Sequence, residues 1–208
     1  SALSSDAPLN LLNAVRVAAD PAARGNGVLV VLNDEINSAR EGTKTNTYRL
    51  ETFQSGQLGL LGYVDPDDTV QFYREPLRKH TVHSQFARLS IERLPNVAIV
   101  YSHAGAEGDI IRFITESGKY RGIVVAGTGA GRCSPAEDEA LGEAVQNGLT
   151  VVRSSRAGNG RVVPIDVFKQ YVCVTADNLL PQKARILLML SLLVHDDVRE
   201  IQHVFDHY

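Results

Sequence analysis

Lys44 stands between two threonines in Thr43-Lys44-Thr45-Asn46-Thr47, a run rich in β-branched residues that reads as a short strand. A lysine among hydroxyls can lower a neighbour's pKa, or its own when partly buried, and so assist nucleophilic attack. On composition alone a surface lysine is the commoner case. Gly127-Thr128-Gly129-Ala130-Gly131 follows an apolar run and precedes a helix signal, so its amides are candidates to cradle an anion. The spacing is not that of dinucleotide folds, and no acidic residue closes a strand about twenty positions later. The plainer reading is a tight turn at the carboxyl edge of a sheet, which is where α/β ligands bind. His203 and His207 are four apart, as paired metal ligands on a helix would be, but no third ligand is in register. These two, with His80 and His83, read as solvated histidines. Glu137-Asp138-Glu139 falls in the first turn of a helix, where the helix dipole favours acidic residues. Cys133 and Cys173 form neither a disulfide framework nor a zinc-type cluster.

The elements that must position these side chains alternate. Residues 8–19 carry Leu9, Leu12, Val15 and Ala19 at helical spacing, with Asp6 as the expected N-cap. Asp20-Pro21 and Gly25-Asn26-Gly27 break that helix, and residues 27–32 read as a strand apolar on both faces, hence buried and parallel. Residues 36–72 are less regular, with Gly56, Gly59 and Gly62 punctuating a loop and Asp65-Pro66-Asp67-Asp68 reading as a hairpin turn before a strand at 69–73. Charge rises and apolar periodicity fades over 74–95, the expected interdomain linker. Strands at 96–101, 122–126 and 149–153 then alternate with helices at 109–117 and 135–146, and two helices, 181–194 and 198–207, finish the chain.

The chain has 208 residues, 44% hydrophobic and 22% charged, which is globular composition and large enough for one or two domains at roughly 150 residues each. A net charge of −3 argues against a nucleic-acid partner. The longest apolar stretch, 186–194, is about half of what a membrane span needs. No signal peptide is visible, and the abrupt opening at Ser1 is that of a chain entered in mid-structure.

Several segments together resemble bacterial type II L-asparaginases. They are Gly27-Val28-Leu29-Val30-Val31-Leu32-Asn33-Asp34, Ser38-Ala39-Arg40, Thr43-Lys44-Thr45-Asn46, Arg78-Lys79-His80-Thr81 and Leu94-Pro95 before a strand. Further along come residues 122–131, Val152-Arg153-Ser154-Ser155, Gly158-Asn159-Gly160 and Pro181-Gln182-Lys183-Ala184-Arg185, while Ser4-Ser5-Asp6 with Pro8 matches near the start. The match runs in order through essentially all 208 residues.

The resemblance implies an α/β fold with the remainder of an N-terminal parallel α/β domain at 1–73, a linker at 74–95, and a smaller C-terminal doubly wound parallel α/β domain at 96–208. It implies hydrolysis of L-asparagine to L-aspartate and ammonia through a threonine acyl-enzyme, with glutaminase side activity toward L-glutamine and no cofactor or metal. Lys44 matches the lysine of a supporting triad. The family's Thr-Gly-Gly-Thr and His-Gly-Thr-Asp motifs do not occur in this sequence, so the resemblance places the nucleophile in an N-terminal segment upstream of Ser1. It further implies a homotetramer of intimate dimers, periplasmic or secreted, in which the partner subunit completes each site. Two positions depart from the family. Arg132 stands where a polar Ser or Asn follows the glycine turn, and Asp166 is the nearest carboxylate to the place of the acidic residue that holds the substrate amino group. The alternative is a non-catalytic asparaginase-like fragment that acts as a binding or assembly module.

Overall fold

A computed structural model describes residues 5–208, so Ser4 of the Ser4-Ser5-Asp6 match lies outside the described residues. The chain divides between Arg88 and Leu89 into two compact units, and each mixes helix with sheet, as expected of the α/β class.

In the first unit, α1 (Ala7–Ala19) starts with proline in its first turn, where the missing N–H has no intrahelical partner to lose. Asp6 occupies the N-cap position, but its carboxylate accepts from the Asn10 side chain at 2.7 Å rather than from a helix amide. The Leu9, Leu12 and Val15 stripe is exposed, whereas Asn13 and Val17 are buried. Polar bonds explain this orientation: Asn13 donates to Asp34 Oδ1 at 2.7 Å, and Asn10 Oδ1 accepts from the Asn33 amide at 3.0 Å.

Asn33 and Asp34 also correct the expectation for residues 27–32. β1 (Leu29–Leu32) is half-buried and pairs antiparallel, not parallel, with β2 (Glu35–Ser38). Both intervening residues take positive φ, 53° and 61°, which is what a two-residue hairpin turn demands. β3 (Thr43–Lys44) and β4 (Phe53–Gln54) form a separate two-stranded ribbon. β5 (Gly62–Val64) and β6 (Val70–Phe72) complete an antiparallel sheet in the order β1-β2-β5-β6, joined by the expected turn at 65–68. Gly62 is a strand residue rather than loop punctuation, paired with Ile36 and Phe72, and glycine is needed there because a Cβ would lie 1.9 Å from the Gln71 carbonyl oxygen. Val17, Ile36 and Val64 form the core between α1 and this sheet.

His80 corrects another expectation. It is not a solvated ring: its Nδ1 lies 2.6 Å from the Arg78 carbonyl oxygen and its Nε2 lies 2.7 Å from that of Gly25.

The second unit holds a parallel sheet of β7 (Val97–Tyr101), β8 (Gly122–Gly127), β9 (Thr150–Ser155) and β10 (Val174–Thr175), in spatial order β10-β9-β8-β7. α2 (Asp109–Glu116) and α3 (Pro135–Gln146) cover one face through Ile111, Leu141 and Ala144 against Ile123, Val125 and Val151. α4 (Pro181–Ser191) covers the other, with Leu188 over Gly122, and α5 (Val198–His207) packs beside it and against β10. Every residue of β8 is buried because both faces are covered. In a parallel sheet the loops after β7, β8 and β9 all leave at one edge, and the loops after β8 and β9 carry Arg132 and Asp166. Among the described residues no helix is long and apolar enough to cross a membrane.

Candidate active site

Lys44 lies in the first unit and is exposed on β3. Strand alternation turns it away from Thr43 and Thr45, so its sequence neighbours are not its hydroxyl neighbours. The Thr45 hydroxyl donates to the Thr52 carbonyl at 3.0 Å, the Asn46 amide donates to Thr52 Oγ1 at 3.1 Å, and Thr52 Oγ1 donates back to the Asn46 carbonyl. Asn46 Oδ1 accepts from the amides of Tyr48 and Arg49 at 3.0 and 3.1 Å, closing a local turn. The ribbon is thus stiff while the Lys44 ammonium makes no hydrogen bond or ion pair among the described residues. In the same unit the buried Ser55 hydroxyl donates to Asn37 Oδ1 at 2.5 Å, while Asn37 Nδ2 is buried with no partner among the described residues.

In the second unit the glycine turn after β8 closes on itself. The Thr128 amide donates to the Arg132 carbonyl at 2.7 Å, and the amides of Gly131 and Arg132 both donate to the Thr128 carbonyl at 3.0 Å. Three of the amides that an anion would need are therefore engaged internally, which favours the turn reading over the anion cradle. The chain must also be glycine at 127, where a Cβ would sit 2.5 Å from the Gly131 carbonyl carbon. Ser155 of β9 donates to the Gly129 carbonyl at 2.6 Å, tying the turn to the sheet. The Arg132 side chain leaves this rigid turn exposed and without a partner among the described residues.

Asp166 opens a short 3-10 turn, Asp166–Gln170, and is 92% exposed, with its carboxylate 2.6 Å from Lys169 Nζ. The acidic trio in α3 divides three ways. Glu137 is buried, accepting from the Ser102 hydroxyl at 2.7 Å and from the Ser134 amide at 2.9 Å in a capping box. Asp138 pairs with Arg153, and Glu139 faces Arg112 at 3.8 Å. The dipole reading of this trio omitted its two buried partnerships.

Arg153, which sequence reasoning placed at the end of a strand and in a matching segment without a role, is the largest fully buried side chain among the described residues. Its Nη1 donates to the Gly131 carbonyl at 3.2 Å and to Cys133 Sγ at 3.6 Å, while Nη2 donates to Asp138 and to the Tyr171 hydroxyl. Its guanidinium lies 4.2 Å from the Phe168 ring centroid and 5.3 Å from that of Tyr171. Burial opposes this cation, yet the Tyr171 oxygen and the Asp138 carboxylate outweigh it and hold the group above its ordinary value. Burial pushes the Cys133 thiol up to about 12 and also raises the Cys173 thiol and the Tyr171 phenol, which makes these groups poor nucleophiles. The signal for Arg153 in the sequence is a cation closing an apolar β-run just after an acidic helix. His203 and His207 stack at 4.0 Å with His207 Nδ1 on the His203 carbonyl at 2.7 Å, and among the described residues no group of three or more ligating side chains is placed to hold a metal.

The family described as Asparaginase, N-terminal, matches residues 1–78, and the Glutaminase/Asparaginase C-terminal domain matches residues 96–205. The chain is 42% identical over 208 residues to L-asparaginase 2 of Bacillus subtilis, covering 100% of this chain and 55% of that one. It is 40% identical over 208 residues to the probable periplasmic L-asparaginase of Haemophilus influenzae, covering 99% and 59%. It is 40% identical over 211 residues to L-asparaginase 2 of Escherichia coli, covering 100% and 60%. The chain spans 55% to 60% of the length of these curated relatives. Matched by family in both units and by relatives along its whole length, the chain belongs to the glutaminase/asparaginase family.

Proposed function

We propose that this chain is the carboxyl-terminal part of an L-asparaginase-type amidohydrolase, converting L-asparagine and water to L-aspartate and ammonia, with glutaminase side activity. The observation that carries the reading is the exposed Lys44 ammonium, without a partner among the described residues, on a ribbon whose flanking hydroxyls are already engaged. A cation held this way is available to stabilise a hydroxyl that is losing its proton. In this chemistry a threonine oxygen attacks the side-chain amide carbon and the C–N bond breaks with ammonia as the leaving group. Water then cleaves the resulting ester and releases aspartate. The threonine comes from the N-terminal segment preceding Ser1, and no metal or cofactor takes part.

On this reading residues 1–73 are the end of a larger catalytic domain and 74–95 its linker to the smaller one. The exposed Leu9, Leu12 and Val15 stripe, with the edge of β1 that no described strand pairs, is the surface that the preceding segment covers. Arg132 and Asp166 serve the site of a partner subunit in a homotetramer of intimate dimers, Arg132 toward the substrate carboxylate and Asp166 toward its amino group. Asp166 must then exchange Lys169 for that amino group, which its exposure permits. The enzyme is periplasmic or secreted.

Ammonia release by the protein with its preceding segment tests this. Lys44→Ala should lower kcat by roughly 100-fold or more. A folded, complete protein that releases no ammonia from either amide would instead support the non-catalytic binding or assembly module.

A further inference from the structure

We infer that Arg153 is the positioning residue for substrate recognition in the second unit: one buried guanidinium anchors both the turn that carries Arg132 and the segment that carries Asp166. This rests on the proposal above for those two residues and extends it to a residue that touches no substrate.

The two elements are far apart in sequence and meet on one side chain. Arg153 Nη1 donates to the carbonyl of Gly131, the residue immediately before Arg132, and to Cys133 Sγ immediately after it. Phe168 and Tyr171 lie against the guanidinium, and the Tyr171 hydroxyl accepts from Nη2. Phe168 is two residues beyond Asp166 and is itself buried. Asp138 balances the charge and accepts from the Tyr171 hydroxyl at 3.1 Å, so α3 is part of the same assembly. Neither Arg132 nor Asp166 has a buried anchor of its own. Arg132 has no side-chain partner among the described residues, and Asp166 holds only an exposed lysine.

The chemistry requires arginine. The planar fork bonds a carbonyl on one side and a phenol and carboxylate on the other while its face stacks on a ring, which a lysine ammonium cannot reproduce. Arg153 Nε is buried and finds no acceptor among the described residues, so the residue is held there at some cost in polar satisfaction. A shift of the guanidinium displaces the Arg132 turn and the Asp166 segment together, and the spacing of the two recognition groups is therefore a property of Arg153.

The test uses the complete protein and two variants. Arg153→Lys keeps the charge but loses the fork. Tyr171→Phe keeps the ring and removes one hydroxyl link, so it retains the fold should the first variant not. Hydrogen exchange is read at 127–132 and 166–171, with KM and kcat for L-asparagine. Both segments should exchange faster together while β7 and β8 stay protected, and KM should rise roughly tenfold with kcat within about threefold, the pattern of lost ground-state binding. Tyr171→Phe should move the same quantities in the same direction by less. Loosening of only one segment, or of neither, overturns the inference. So does an unchanged KM when both loosen. Wild-type protein that releases no ammonia refutes the amidohydrolase reading on its own, and the exchange pattern then decides whether Arg153 couples the two segments.

Discussion

Replacing Asp138 with alanine removes the carboxylate that faces the Arg153 guanidinium. The Arg153 side chain is 0% exposed and that of Asp138 is 18% exposed. Removing one partner of a buried ion pair costs about 3–5 kcal/mol, because the remaining charge stays out of water without compensation. Asp138 also accepts from the Tyr171 hydroxyl and the Cys133 thiol, at 3.1 and 3.4 Å, so alanine leaves those donors short of an acceptor as well. Its partial exposure lets water reach the vacated position, which sets the expected loss near the lower bound, about 3 kcal/mol. Asp138→Asn keeps an acceptor oxygen and loses only the charge, so roughly half that loss is expected. Combining Asp138→Ala with Arg153→Met removes the stranded cation, and the double variant should lose well less than the sum of the two single losses. The chain has no tryptophan, so urea unfolding is best followed by far-ultraviolet circular dichroism. A loss under about 1 kcal/mol for Asp138→Ala, or strict additivity in the double variant, would refute the claim that this pair is a buried, coupled charge.

Burial pushes Cys133 up to about 12, so the folded state keeps a proton that the unfolded thiol loses near pH 8.5. Stability should be full below about pH 8.5 and fall as pH rises toward the folded value, and Cys133→Ser should lessen the fall; parallel pH–stability curves would count against the thiol. Gly62→Ala drives a Cβ to 1.9 Å from the Gln71 carbonyl oxygen and should cost more than about 2 kcal/mol by opening β5 from β6, read by hydrogen exchange at 62–72. Ser134→Ala loses the capping box of α3 and should cost about 1 kcal/mol, checked by thermal unfolding. Arg132→Ser should change the ratio of kcat/KM for L-asparagine over L-glutamine, and an unchanged ratio would remove Arg132 from the site.

The regular half of the fold was legible because its signals are local. The apolar runs at 96–101, 122–126 and 149–153 and the helix signals at 109–117 and 135–146 each act within a few residues, and α2, α3, β7, β8 and β9 lie where periodicity puts them. The first unit was harder. Residues 27–32 are apolar on both sides, which suggests a parallel strand, and the decisive feature was the left-handed pair Asn33-Asp34 that turns the chain back. α1 shows an apolar stripe that is exposed here because its orientation is set by two asparagines bonded to that turn. Lys44 was singled out by its threonine context and by resemblance, and strand alternation separates it from the hydroxyls beside it in sequence. Arg153 was not legible as an anchor, since its partners come from positions 131, 133, 138, 168 and 171 and meet only through tertiary packing.

The closed turn at 127–132 has an evolutionary consequence. Residue 132 contributes only its backbone N–H and C=O to the turn, while Thr128, Ser155 and Arg153 hold the rest. The side chain at 132 can therefore be exchanged without retuning the scaffold beneath it. Where a side chain also packs into its own support, replacing it disturbs both. Here the support and the variable group are separated, so a lineage can sample polar, cationic or small residues at 132 in single steps, each presented from the same backbone point.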